Sequence, residues 1–165
     1  MSNAVRTTGK LQITTPSDRE IAMTRVFDAP RRLVYDALTK PELVKRWLGV
    51  FGGHTMSVCE IDLKVGGKYR YVWSTPNAPD MGMGGIFKEI VPQQRIVSTE
   101  KFDHPWYPGE AVDTVTLTEQ GGKTTMTTTV RYASKEARDG VLESPMDTGV
   151  AASYDTLDGV LVSLH

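Results

Sequence analysis

Two periodicities divide the chain. Apolar residues alternate singly over most of its length and recur at three- and four-residue spacings in a few segments. Leu11 to Thr15 predicts a short strand, ended by a turn at Pro16-Ser17-Asp18. Glu20 to Phe27 sets Ile21, Met23, Arg25 and Phe27 against Ala22, Thr24 and Val26, a strand partly covered on both faces. Asp28 then predicts the cap of a helix that carries Pro30 in its first turn and Leu33, Val34, Ala37 and Leu38 on its apolar face. Thr39-Lys40-Pro41-Glu42 has the form of a capping box and predicts a second short helix, Pro41 to Leu48, ended by Gly49.

Alternation returns in the middle of the chain. Strands are predicted over Thr55–Leu63, Lys68–Ser74, Gly84–Val91, Arg95–Phe102, Ala111–Thr118 and Thr124–Tyr132. Gly66-Gly67 and the segment Gln120-Gly121-Gly122-Lys123 supply turns, while Thr75–Gly82 and Asp103–Glu110, each with two prolines, read as loops. Short turns between successive strands imply an antiparallel meander. Ser134 predicts the cap of a helix over Lys135–Glu143, and Ser144 that of a last helix with Pro145 first and Asp147 in its opening turn. Met146, Val150, Tyr154, Leu157, Leu161 and Leu164 form one stripe along it. A sheet with one face to cover needs that helix as its lid.

Composition narrows the class. A chain of 165 residues is one domain by size, here residues 11–165, with residues 1–10 read as a mobile tail. Nineteen basic and twenty acidic residues leave a net charge of −1, without the basic excess of a nucleic-acid binder. The single Cys59 excludes an intrachain disulfide framework. The apolar runs are too short for a signal peptide or a membrane span, so the cytoplasm is the expected location, as a monomer or homodimer.

Several short motifs, taken in order, resemble the START-like (SRPBCC) superfamily. Within it they are most similar to the homologues of the activator of the heat-shock-protein-90 ATPase. The matching residues are Phe27-Asp28-Ala29-Pro30, Pro41-Glu42-Leu43-Val44-Lys45-Arg46-Trp47, Asp62-Leu63-Lys64-Val65-Gly66-Gly67, Gly85-Ile86-Phe87-Lys88-Glu89-Ile90-Val91-Pro92 and Ser153-Tyr154-Asp155-Thr156-Leu157. The resemblance spans about residues 11–164 and implies an α+β helix-grip fold. In that fold a curved antiparallel sheet of six to seven strands wraps a long C-terminal helix, with two short helices after the first strand. It also implies a choice of roles: a domain binding a small apolar or aromatic molecule, a chaperone-associated partner, or a cyclase- or hydrolase-like enzyme using a pocket carboxylate or tyrosine. With ten residues ahead of the first predicted strand, strong stimulation of a chaperone ATPase by this chain alone is not expected.

Catalytic signatures are sparse. There is no Gly-x-Ser-x-Gly, His-Glu-x-x-His or Cys-x-x-Cys, and Gly122-Lys123-Thr124 lacks the upstream glycine of a phosphate loop. His54, His104 and His165 are scattered, so no metal and no cofactor are expected, and Asp103-His104 reads as part of a solvated loop. Cys59 reads as a packed thiol. Glu60, Asp62, Glu89 and Glu100 read as water-facing or paired with Arg70, Lys88 or Lys101, so no catalytic residue is assigned.

Aromatic residues carry the binding signal. Tyr69, Tyr71 and Trp73 alternate on one strand face, expected toward the last helix, and Phe102, Trp106 and Tyr107 flank the loop that follows. With Met146, Val150, Tyr154 and Leu157 of the last helix they form the expected lining of a ligand cavity, with the loop Asp103–Glu110 near its mouth. Thr128, in phase with Met126 and Val130, is the threonine expected to turn a hydroxyl inward.

Overall fold

The computed structural model describes residues 4–48 and 53–165. Residues 1–3 of the expected tail and the expected helix end at Gly49 lie outside the described residues. Along the chain come β1 (Ala4–Thr8), β2 (Leu11–Thr14), β3 (Glu20–Phe27), α1 (Arg31–Thr39) and α2 (Pro41–Trp47). The middle holds β4 (Thr55–Ile61), β5 (Lys68–Thr75), β6 (Ala78–Val91), β7 (Arg95–Phe102), β8 (Ala111–Gln120) and β9 (Lys123–Arg131). Helices α3 (Lys135–Glu143) and α4 (Met146–Leu164) complete it. This is the α+β arrangement of a curved antiparallel sheet and a C-terminal helix.

The sheet order is β1-β2-β3-β9-β8-β7-β6-β5-β4, so β3 pairs with the last strand and the meander runs from there to β4. Among the described residues the sheet has nine strands, not six to seven. At one edge, Ala4–Thr8 pairs with Leu11–Thr14 and replaces the mobile tail expected there. Its anchors lie far away in sequence. Arg6 Nη2 donates to the Leu142 carbonyl at 2.9 Å, and Thr8 Oγ1 donates to Asp147 Oδ2 at 2.5 Å. A short polar segment fixed by partners more than 130 residues away has no local hydrophobic signature.

A second difference is in β6, which starts at Ala78 where a loop to Gly82 was expected. Pro76, Asn77 and Pro79 suggested the loop, and the glycines that follow in β6 mark close backbone approach. A Cβ at Gly85 would run into the Thr99 carbonyl of β7. Three of the four expected caps also differ. The N-cap of α1 is Pro30 without a side-chain bond, and the Arg31 N–H instead donates to Glu119 Oε1 at 2.7 Å. Thr39 Oγ1 donates back to the Tyr35 carbonyl and Ser144 Oγ to that of Val141, so neither caps the helix that follows. Ser134 does cap α3, accepting from the Ala137 N–H at 3.1 Å.

Two apolar clusters fill the interior. The larger lies beneath α4 and α1, where Phe27, Leu11, Ile13, Ile21, Leu157 and Leu161 are fully buried. The smaller lies beneath α2 and joins Val44 to Met56, Tyr69, Trp73, Met83, Phe87 and Ile96. Among the described residues no helix is long and apolar enough to cross a membrane.

Candidate functional site

Where the two clusters meet, the interior is not filled. A cavity of about 450 Å³ lies between the concave sheet and the first half of α4. One wall is helical, from Met146, Gly149, Val150, Ala152, Ser153 and Tyr154 of α4 with Trp47 and Leu48 from α2. The opposite wall is the sheet, from Met23, Trp73, Met83, Phe102, Thr128 and Val130, with two carboxylic acids, Glu100 and Asp113. Small residues on α4, Gly149, Ala152 and Ser153, lie along this wall.

Strand register brings the acids together. β7 and β8 pair Ser98 with Asp113 and Glu100 with Ala111, so the two carboxyls occupy diagonal positions on one face. Asp113 shares that face with Ala111, Val115 and Leu117, and Glu100 with Ser98 and Phe102. Asp113 Oδ1 is shut off from solvent. Burial first, then the charge of Glu100 and a hydrogen bond with it, push the Asp113 carboxyl well above the usual aspartate range. Tyr107, itself buried, donates its hydroxyl to Glu100 Oε2 at 2.5 Å and stands edge-on to Tyr132 at 5.2 Å. Burial and the Glu100 charge raise both phenols, so Tyr107 stays a donor. On the other side Thr128 Oγ1 lies 3.3 Å from the Tyr154 hydroxyl. The site therefore combines apolar walls with one acidic pair able to donate, accept or face a cation.

Of the ten residues expected at a site, Trp73, Phe102, Met146, Val150 and Tyr154 line the cavity together. The other five do not. Tyr69 and Tyr71 share a face with Trp73, but they belong to the cluster beneath α2, with ring centroids 5.1 Å apart and Tyr69 5.6 Å from Phe87. The reason is cover. α4 lies over the β3 side of the sheet, and α2 takes the β5 end, where its C-cap Leu48 accepts from Trp73 Nε1 at 2.8 Å. Leu157 is fully buried core, one turn too deep. Trp106 is 51% exposed and meets the wall residue Phe102 edge-on at 6.0 Å. Tyr107 stands behind the wall as the partner of Glu100.

Glu100 is corrected from a water-facing reading: it lines the cavity. Asp113 went unweighed, although its phase with Val115 and Leu117 was a signal for it. Glu89 pairs on the surface with Arg95, at 3.2 Å, and not with Arg70, Lys88 or Lys101 as expected. Asp103 is held by Arg70, which keeps its carboxyl below the usual range. Cys59 is half-buried, and burial pushes its thiol up, away from reactivity. Among the described residues no three His, Cys, Asp or Glu side chains converge as a metal site would need.

The family model described as activator of Hsp90 ATPase homolog 1-like protein matches residues 28–162. The chain belongs to this family. No curated protein matches it. Among solved structures, a protein from Rhodobacter sphaeroides is 32% identical with a TM-score of 0.88, over 93% of this chain and 99% of that one. A protein from Chromobacterium violaceum is 26% identical with a TM-score of 0.73, over 88% and 98% of the two chains. The activator-homologue match includes both cavity acids and the whole α4 wall, and stops short of the β1–β3 edge.

Proposed function

We propose that the protein binds a small, largely apolar molecule in the cavity between the sheet and α4. The observation that supports this is the cavity itself: about 450 Å³ with mostly apolar walls, placed where a filled core would otherwise join the two clusters. Ligand sites have this volume and this mixture of apolar wall and few polar groups. The fold is of a ligand-binding type. A chaperone-docking role would use the outer surface and gives no reason to keep interior space open.

Gly149→Phe tests the reading, because Gly149 lines the cavity and its position has room for a larger side chain. Removing a glycine from a helix interior favours folding by up to about 1 kcal/mol, so the variant should melt no lower than the parent. Titration with the apolar dye Nile red should show binding by the parent and none by the variant. Native mass spectrometry of the parent should also show a co-purified small molecule that the variant lacks. Equal dye binding by both proteins, with neither carrying a molecule, overturns the reading.

A further inference from the structure

Two acids at the deep wall of an apolar cavity need an explanation that a purely apolar ligand does not give. The cavity's charged lining residues, among those described, are Glu100 and Asp113, with no lysine, arginine or histidine beside them. Arg25 is held elsewhere, 2.7 Å from Asp155 and 4.0 Å from Asp158 on α4. Asp113 belongs to the wall, with its Oδ1 shut off from solvent, and Glu100 beside it brings a carboxylate to the same wall. An uncharged apolar ligand would strip water from the Glu100 carboxylate without replacing it, at a cost in affinity. An anion would meet the Glu100 charge in a medium of low dielectric. A cation meets neither penalty. It would also find aromatic walls in Trp47, Trp73, Phe102 and Tyr154, whose electron-rich faces attract ammonium groups.

We infer that the ligand carries a protonated amine, which seats against the Glu100–Asp113 pair while its apolar body lies along the aromatic walls. The inference rests on the cavity reading above and adds to it the chemical class of the ligand's polar end. Tyr107 acts as a positioning residue, since its hydroxyl holds Glu100 Oε2 from behind and fixes the direction of the carboxyl.

Three indole probes differing in one group test it: tryptamine, tryptophol and indoleacetate, each titrated calorimetrically near neutral pH. Tryptamine should bind tighter than tryptophol by about tenfold or more, the range of a hydrogen bond to a charged group, and indoleacetate should bind weakest. In Glu100→Gln the ratio of tryptamine to tryptophol affinity should fall toward parity, and in Asp113→Asn it should fall less, because burial already holds that carboxyl toward its neutral form. Tyr107→Phe should lower it partway. Tryptophol binding as well as tryptamine overturns the amine inference and leaves the cavity reading standing. A preference for tryptamine that survives both carboxyl substitutions overturns it too. If no indole and no Nile red binds, the cavity reading itself fails. Should either carboxyl variant not fold, the parent's ranking of the three probes decides the question alone.

Discussion

The two halves of the sheet are built to different standards. On the α4 side, β3 and β9 pair without interruption from Glu20↔Arg131 to Phe27↔Thr124, and β8 with β9 from Val112↔Arg131 to Gln120↔Lys123. The side chains beneath are aliphatic for the most part and fully buried. On the α2 side the register shifts in every pair, between Met56 and Val58, between Trp73 and Thr75, and between Phe87 and Glu89. Its core is aromatic and sulfur-rich. Regular pairing over a close-packed core gives stability, while bulges bend strands and re-aim side chains, which is common beside binding sites. The cavity opens at the junction. One half therefore holds the fold and the other shapes the space.

Two phenylalanines put that division to its hardest test. Phe27 is fully buried and meets Tyr154 edge-on at 6.0 Å, whereas Phe102 is half-buried on the cavity wall. Phe27→Ala should cost about 3–5 kcal/mol, as deep aromatic truncations do. Phe102→Ala should cost less, roughly 1–2 kcal/mol, since one side of its ring already faces open space. Ligand affinity should move the opposite way, falling in the Phe102 variant and holding in the folded fraction of the Phe27 variant. Denaturant melts and Nile red titrations on both proteins read this directly. Equal stability losses would erase the distinction between the halves.

The junction between strands offers the next largest effect. At Gly85 the backbone of β6 lies so close to β7 that any side chain meets the Thr99 carbonyl. Thr99 Oγ1 also accepts from the Ile86 N–H at 2.9 Å, beside the register shift. Gly85→Ala should cost roughly 1–3 kcal/mol by overpacking. Because the displaced strand β7 carries Glu100 and Phe102, ligand binding should weaken with it. A neutral substitution would mean that the shift at Phe87–Glu89 absorbs the displacement.

The legibility of these regions in sequence follows the same line. The α4 stripe and the strands from β2 to β9 show plain period-four and period-two patterns, because their apolar faces meet a continuous core. β1 is silent, since its anchors are Arg6 and Thr8 on partners distant in sequence. The start of β6 is masked by Pro76, Asn77 and Pro79, residues that ordinarily mark a loop. For the site, the alternation of Tyr69, Tyr71 and Trp73 showed a shared face but not which helix covers it. Asp113 was hidden for a different reason. An acid in phase with Val115 and Leu117 breaks the polar-out pattern, and only pairing with β7 shows that Glu100 is its neighbour.

That pair makes the cavity's charge state a stability question. Burial and the Glu100 charge raise the Asp113 carboxyl above its unfolded value. A group so shifted lends its stability below the unfolded value and loses it as pH rises through the folded one. Stability should therefore fall as pH climbs from the ordinary aspartate range, by an amount that Asp113→Asn removes, because asparagine keeps the shape and does not ionise. Melts across a pH series on the parent and the variant check the sign. A parent whose stability rises over that window would show that Asp113 ionises readily in the fold.

The smallest expected effect concerns charge on the outside of the bulged half. Arg70 Nη1 and Nη2 donate to Asp103 Oδ1 and Oδ2 at 2.7 and 2.5 Å, joining β5 to the loop that follows β7. The geometry is bidentate, the best kind for such a pair. However, the side chains are 42% and 43% exposed, so water and salt screen them. Arg70→Ala should then cost under about 1 kcal/mol, and less still at high ionic strength. The Asp103 carboxyl, now held below its usual range, should return toward it in the variant, which titration followed by NMR can read. A loss well above that range, insensitive to salt, would mean that the pair locks the loop onto β5. The bulged half would then draw its order from charge as well as from the aromatic packing beneath it.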